Sequence, residues 1–171
     1  DLAAIERQFH HLVRTVPASG RLVVNAAEDS LKRVLAQGCW SPVARFGAAG
    51  SDAQWQVEGA QHAFDVLCDG RVVGRVEWAL SGEHNQLNAL ATIAAAEHVG
   101  VAPADAARAL CGFRNVRRRM EVRGEVARGD GPALTVYDDF AHHPTAIRTT
   151  LDGLRRRLDA QGRQAERILA V

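Results

Sequence analysis

The chain has 171 residues, 47% apolar and 24% charged, which is the composition of a folded globular protein with one domain or two small ones. Ample apolar surface excludes whole-chain disorder, and short, interrupted apolar runs leave no candidate for a membrane-spanning helix or a signal-peptide core. A net charge of +1 argues against a dedicated nucleic-acid binder.

Lys32 is the only lysine among 21 basic residues, and no glycine loop precedes it. The phosphate-cradling pattern G-x-x-x-x-G-K-[ST] is therefore missing, so phosphoryl transfer would need phosphate-binding groups from outside these residues. Asp1 at the start, without an initiator methionine, and the apolar stretch 167–171 at the end read as the ends of a piece of something longer. Cys39, Cys68 and Cys111 are odd in number and far apart, which fits buried free thiols in a cytoplasmic protein better than a zinc site or a disulfide framework.

In chain order, Leu2, Ile5, Phe9, Leu12 and Val13 recur at helical spacing, and Pro17 with Gly20 ends that helix. Residues 21–25 read as a short strand. Asp29 or Ser30 is placed to cap a helix through Leu31, Val34 and Leu35 that Gly38 closes. Residues 40–63 mix glycine, alanine and polar side chains, with one strand expected around Trp55 and Val57. Two further strands, 64–68 and 71–80, flank Asp69-Gly70, a strong hairpin signal, and suggest a small antiparallel sheet rather than part of a parallel one.

Residues 81–99 give the clearest helix, with Leu87, Leu90, Ala91, Ala94 and Ala95 as its expected apolar stripe and Gly100 after it. Pro103 begins another, ending near Cys111-Gly112. Two strands, 120–127 and 133–137, surround the turn Gly129-Asp130-Gly131-Pro132. Pro144 opens a last helix with Ile147, Leu151, Leu154 and Leu158 at helical spacing, and 167–171 reads as the next strand. Strand, helix, strand suggests a parallel α/β unit starting near Arg118, with a domain boundary between Gly112 and Arg119.

Three places carry chemistry. In Ser81-Gly82-Glu83-His84-Asn85-Gln86-Leu87-Asn88, Asn85 and Asn88 share a helix face at i and i+3. Each amide offers a donor and an acceptor, as an adenine edge requires, although helix capping alone also accounts for these residue types. The segment Val136-Tyr137-Asp138-Asp139-Phe140-Ala141-His142-His143-Pro144 puts two carboxylates at the end of a strand and two histidines in the turn after it. Carboxylates there suit ribose hydroxyls or a bound magnesium better than bare phosphate. A metal site from Asp139, His142 and His143 is disfavoured because adjacent histidines rarely chelate one ion, and turn capping by Asp138 or Asp139 is the structural alternative. Third, Arg114, Arg117, Arg118, Arg119 and Arg123 form an arginine cluster from which one guanidinium would suit a nucleotide phosphate, the rest being solvated. Arg155, Arg156 and Arg157 read as solvated on the polar side of the last helix.

In sequence order, Gly82-Glu83-His84-Asn85 with Asn88, then Arg119-Met120-Glu121, then Asp138-Asp139-Phe140-Ala141-His142-His143-Pro144-Thr145 resembles the Mur ligase family. The likeness covers nearly the whole chain. It implies an α/β fold in which residues 1–116 are the later part of a central ATPase domain with a small antiparallel sheet. Residues 117–171 would open a Rossmann-like C-terminal ligase domain. By the same resemblance Asn85 and Asn88 fall on adenine-contacting positions, Arg119 on a nucleotide-binding arginine and Asp139 on a ribose-binding carboxylate. Phe140, His142 and His143 match a segment facing the incoming substrate, and no metal ligand or catalytic residue is assigned.

The implied parent is a cytoplasmic ATP-dependent ligase joining UDP-N-acetylmuramate to the murein tripeptide L-alanyl-γ-D-glutamyl-meso-diaminopimelate through an acyl phosphate, in peptidoglycan recycling. Its cofactors would be ATP and magnesium, both needing residues outside this chain, and its other partner the missing remainder of its own chain, with neither nucleic acid nor membrane. These residues alone are not expected to catalyse ligation. Free L-alanine as the amine is the nearest alternative, since that relative's equivalent loop typically has tyrosine and glycine where this chain has Phe140 and Ala141. A non-catalytic nucleotide- or RNA-binding module built on the arginine cluster is the alternative from another class, although no aromatic residues interleave it to stack bases.

Overall fold

A computed structural model describes residues 1–80, 82–129 and 131–171, apart from the side chain of Pro132. It divides into two compact units, Asp1–Ala79 with Glu83–Gly112, and Leu80–Gly82 with Phe113–Val171. Ser81, Asp130 and the Pro132 side chain, which belong to the expected helix start and hairpin turn, lie outside the described residues.

The first unit is organised by alternation. Trp55 and Val57 on β3 (Trp55–Ala60), and Phe64 and Val66 on β4 (Ala63–Cys68), point to one face at the period of two that a pleated strand imposes, and all four are buried. β5 (Arg71–Glu77) adds Val76 to the same face. Both Asp69 and Gly70 adopt positive φ, 49° and 73°, the two left-handed residues that a tight hairpin between β4 and β5 needs.

These antiparallel strands do not stand alone. They continue a five-stranded sheet in the order β1-β2-β3-β4-β5, where β1 (Leu22–Asn25), β2 (Val43–Phe46) and β3 run parallel. The separate antiparallel sheet read from the pattern is thus one side of a mixed sheet. Residues 40–63 supply two strands rather than one. β2 is only four residues long, and its identity comes from pairing residue by residue with β1, from Leu22↔Val43 to Asn25↔Phe46, which no local pattern reveals.

Two helices cover the apolar face: α3 (Glu83–His98) and α4 (Pro103–Cys111). The buried stripe of α3 is Gln86, Ala89, Leu90, Ile93 and Ala94, rotated from the expected one, so Leu87 and Ala91 are half-buried and Ala95 is exposed. Alanine is nearly neutral in a periodicity argument, and Ile93 on the sheet fixes the face instead. α4 lies so close to β5 that a Cβ at Gly74 would stand 2.8 Å from the Ala107 Cβ.

α1 (Leu2–Thr15) and α2 (Asp29–Ala36) pack together, helped by an ion pair between Arg33 and Glu6. Only Val13 of the α1 apolar stripe is buried, while Leu2, Ile5, Phe9 and Leu12 are at least half exposed. Periodicity identifies an apolar face but not what covers it. Neither Asp29 nor Ser30 caps α2. Glu28 is the N-cap, without a side-chain bond, and the Asp29 carboxylate accepts from Lys32 at 2.9 Å. That bond, with the ammonium charge, lowers the Asp29 pKa.

The second unit consists of β6 (Glu121–Arg128), β7 (Gly131–Asp138) and α5 (Pro144–Ala160). β6 and β7 form an antiparallel hairpin, and residues 167–171 carry no strand, so the expected parallel strand–helix–strand unit is not formed among the described residues. A strand exists only where a neighbour pairs its backbone. Here Arg155, read as solvated, instead donates to the carbonyls of Gln164 at 3.3 Å and Glu166 at 2.7 Å, folding 164–166 back along α5. Leu154 and Leu158 are buried as the helical spacing predicts, whereas Ile147 stays 40% exposed.

The contact at Gly74 yields a direct test. Gly74→Ala should cost about 1–3 kcal/mol by forcing α4 off β5, read as a lower urea midpoint. An unchanged midpoint would mean that α4 backs away freely.

Candidate functional site

In the first unit the site begins where α3 meets the sheet. Gln86, 4% exposed, donates from Nε2 to the Ala60 carbonyl at 3.4 Å, tying the first turns of the helix to the carboxyl end of β3. Ligands of open α/β sheets are held outside the carboxyl ends of parallel strands, so this end of the unit suits one. With Gln86, Ala89 and Leu90 turned inward, Asn88 is exposed and Asn85 half-buried on the neighbouring flank. The Asn88 carbonyl accepts from the Thr92 hydroxyl at 2.8 Å, a bond within the helix that leaves its side-chain amide uncommitted among the described residues.

A cavity of about 450 Å³ opens at the other ends of these strands, lined by residues including Arg21, Trp55, Cys68 and Glu97. It contains none of the expected site residues. Arg21 is ion-paired with Glu97, and burial, reinforced by Asp69, pushes the Cys68 thiol up to about 11, which makes it a poor nucleophile.

In the second unit the acidic end of β7 and the arginine-rich turn before β6 are tied together. The Asp139 carboxylate accepts from two backbone amides, Met120 N–H through Oδ2 at 2.9 Å and Ala141 N–H through Oδ1 at 2.8 Å. Phe140 N–H donates to the Arg118 carbonyl at 2.7 Å. The Arg118 guanidinium lies 5.0 Å from the centre of the Phe140 ring, and its Nε is 3.5 Å from Asp138 Oδ2. The cation–ring contact is worth about 0.5–1 kcal/mol at such an exposed site.

Arg118 and Met120 both take left-handed backbone conformations, φ 59° and 50°. Glycine is absent from this turn, so the strain is held by the hydrogen bonds around it. Between them sits Arg119, exposed, with its guanidinium in no hydrogen bond or ion pair among the described residues. Of the cluster, Arg118 and Arg123 are engaged within the unit, Arg123 by Glu121 at 3.2 Å.

His143 is the N-cap of α5, its Nδ1 accepting Thr145 N–H at 3.3 Å. The capping expected of Asp138 or Asp139 is thus shared: Asp139 closes its own turn through Ala141 N–H, and His143 serves the helix. His142 is exposed, packs edge-on to Phe140 at 5.2 Å between ring centres, and contacts the Phe140 carbonyl through Nδ1 at 3.1 Å. No group of three or more His, Cys, Asp or Glu side chains is arranged to hold a metal ion among the described residues. Asn85 and Asn88 therefore share one helix end in the first unit, and Arg119, Asp139, Phe140, His142 and His143 one turn-and-loop cluster in the second. Sequence reasoning missed Asn115, whose side chain donates to the Arg119 carbonyl at 2.9 Å and accepts Val116 N–H at 3.0 Å. An asparagine just ahead of a turn was the available signal.

Glu121 reports on this turn. Its carboxylate accepts Arg118 N–H at 2.9 Å, and that bond, helped by Arg123, holds its pKa below the ordinary glutamate value. A depressed folded-state value means the bond supports the turn above the ordinary glutamate range and is lost as pH falls through the lowered value. In an NMR titration the Arg118 amide shift should therefore move with a midpoint below that of a free glutamate. A midpoint at or above it would contradict the bond.

Two family descriptions match most of the chain. The description "Mur ligase middle domain" matches residues 1–96, and "Mur ligase, glutamate ligase domain" matches 118–171. The UDP-N-acetylmuramate–L-alanyl-γ-D-glutamyl-meso-2,6-diaminoheptandioate ligase of Escherichia coli is 52% identical over all 171 residues, which span 35% of that protein. The UDP-N-acetylmuramate–L-alanine ligase of Acidothermus cellulolyticus is 36% identical over 91% of the chain and 33% of its own length. A crystal structure of a murein peptide ligase from Psychrobacter arcticus superposes with a TM-score of 0.72 at 42% identity, covering 92% of this chain and 33% of that one. The chain spans about a third of the length of the curated relatives it matches, and its α/β fold is theirs. With the middle-domain description alone accounting for more than half of its residues, the chain belongs to the Mur ligase family.

Proposed function

We propose that this chain forms part of an ATP-dependent ligase that joins UDP-N-acetylmuramate to the tripeptide L-alanyl-γ-D-glutamyl-meso-diaminopimelate through an acyl phosphate, in peptidoglycan recycling. Residues 1–116 are then the later part of the central ATP-binding domain and 117–171 the beginning of the C-terminal ligase domain. The observation that carries the choice of amine is the identity gap, 52% over the whole chain to a tripeptide-adding ligase against 36% over 91% of it to an L-alanine ligase.

The groups on this chain suit a nucleotide. Asn88, with Asn85 on the same helix face, offers the donor and acceptor of an adenine edge, and its amide is not spent on a neighbour among the described residues. Each Asp139 oxygen accepts one backbone amide and keeps a second lone-pair direction, enough for a ribose hydroxyl. Arg119 presents a guanidinium that is in no hydrogen bond or ion pair among the described residues and suits a phosphate oxygen. ATP, when bound, supplies the phosphoryl group that activates the lactyl carboxylate for attack by the peptide amine. Magnesium ligands and the phosphate loop come from other parts of the protein. Phe140 and His142, both exposed on the loop after β7, together with His143 at the helix start, face the incoming substrate in this reading.

The test uses the full-length ligase carrying this sequence. Given a panel of amines, it should prefer the tripeptide, and preference for free L-alanine would overturn the assignment. Asn88→Ala and Arg119→Ala should each raise the KM for ATP about tenfold without moving the unfolding midpoint, as expected when one polar contact to a ligand is removed. Unchanged ATP kinetics in both would remove the proposed nucleotide site.

A further inference from the structure

The Arg119–Met120 peptide group is held at both of its polar ends. Its carbonyl accepts from Asn115 Nδ2 at 2.9 Å, and its N–H donates to Asp139 Oδ2 at 2.9 Å. Two side chains, four residues before Arg119 and twenty after it, thus fix one peptide plane. Arg119 itself lies between two residues in left-handed conformations, Arg118 and Met120. Rotating the peptide plane would break both bonds and release a strained turn. The other bond of Asn115, from Val116 N–H to its Oδ1, orients the amide so that its NH₂ faces the Arg119 carbonyl. The guanidinium carried by this clamped residue is in no hydrogen bond or ion pair among the described residues, in contrast to that of Arg118 on Phe140 and Asp138.

We infer that Asn115 is a positioning residue: with Asp139 it sets the direction in which Arg119 projects, and so sets the grip of Arg119 on an anionic ligand. The inference rests on the nucleotide reading of Arg119 above, and it names a residue whose side chain itself contacts no ligand. It also gives Asp139 a second task besides any bond to a ribose. The chemistry of Asn115 is specific, because its amide supplies a donor to the Arg119 carbonyl and an acceptor to Val116 N–H from one planar group, which neither an alanine nor a carboxylate does.

The experiment is a variant cycle in the full-length ligase, read as KM and kcat for ATP and as the unfolding midpoint. Asn115→Ala should raise the KM for ATP about tenfold, the effect of a lost orienting contact, with kcat within about twofold and only a small fall in the unfolding midpoint. Asn115→Asp keeps the Val116 bond but replaces the donor to the Arg119 carbonyl with an acceptor, and it should impair as much as alanine does. In an Arg119→Ala background neither substitution at 115 should add anything, because the side chain it aims is gone.

Three results would overturn the inference while leaving Arg119 in its role: wild-type KM in Asn115→Ala, rescue by Asn115→Asp, or a full tenfold effect of Asn115→Ala in the Arg119→Ala background. Rescue by aspartate would mean that the Val116 bond alone matters. An unchanged KM in Arg119→Ala would instead overturn the nucleotide reading itself, and this inference with it.

Discussion

Everything in the first unit depends on one apolar face of a mixed sheet being closed by two helices. Trp55, Val57, Phe64, Val66 and Val76 present that face, and α3 and α4 seal it with mostly small side chains. Alanines at 89, 94, 106 and 107 and the bare backbone at Gly74 let the layers approach closely, so the helices have little freedom to roll. The rotation of α3 decides which residues it shows outward. Ile93 and Leu90 are completely buried, and a helix turned by that constraint leaves Asn88 in the open. The adenine-facing character proposed for the helix start is in this sense a by-product of core packing sixteen residues long.

The second unit solves a different problem. A two-stranded ribbon has little apolar area to bury, and Val122, Val126, Leu134 and Val136 remain substantially exposed on it. Its geometry is held by polar ties: the Asp139 bracket, the Phe140–Arg118 backbone bond, the Asn115 amide and the Arg155 clamp on 164–166. Hydrogen bonds are directional where burial is not, so such a unit can hold a turn in an unfavourable backbone conformation with few buried residues behind it. The exposed ion pairs around it, Arg118 with Asp138 and Arg123 with Glu121, contribute about 0–1 kcal/mol each and do not explain the turn.

The parts legible in the sequence were those specified locally. The Asp69-Gly70 hairpin follows from two residues tolerant of positive φ, and α3, α4 and α5 from proline, glycine and apolar spacing. The loop Asp138–His143 declared itself by an unusual density of polar side chains at a strand end. What stayed hidden depends on partners far along the chain. β2 is a strand because β1 lies beside it, Arg155 is a clamp because the tail returns to it, and Asn115 matters because Asp139 meets the same peptide from the other side. Three consecutive arginines, 117 to 119, also look equivalent in sequence, and only the engagement of Arg118 by Phe140 and Asp138 separates it from its neighbour. The identity of the family was legible through short motifs, whereas the contacts of individual residues required geometry.

The clamped peptide at Arg119–Met120 has a consequence for the timing of recognition. A basic side chain on a wandering loop loses backbone entropy each time it meets a ligand, of order 1–2 kcal/mol for each residue that becomes ordered. Here the chain's own side chains, Asn115 and Asp139, hold the backbone of the turn. Only the rotamers of the Arg119 side chain are left to settle on contact. On the nucleotide role proposed for Arg119, association need not wait for a loop to reorganise, and the turn is a prepared socket rather than one assembled around its guest.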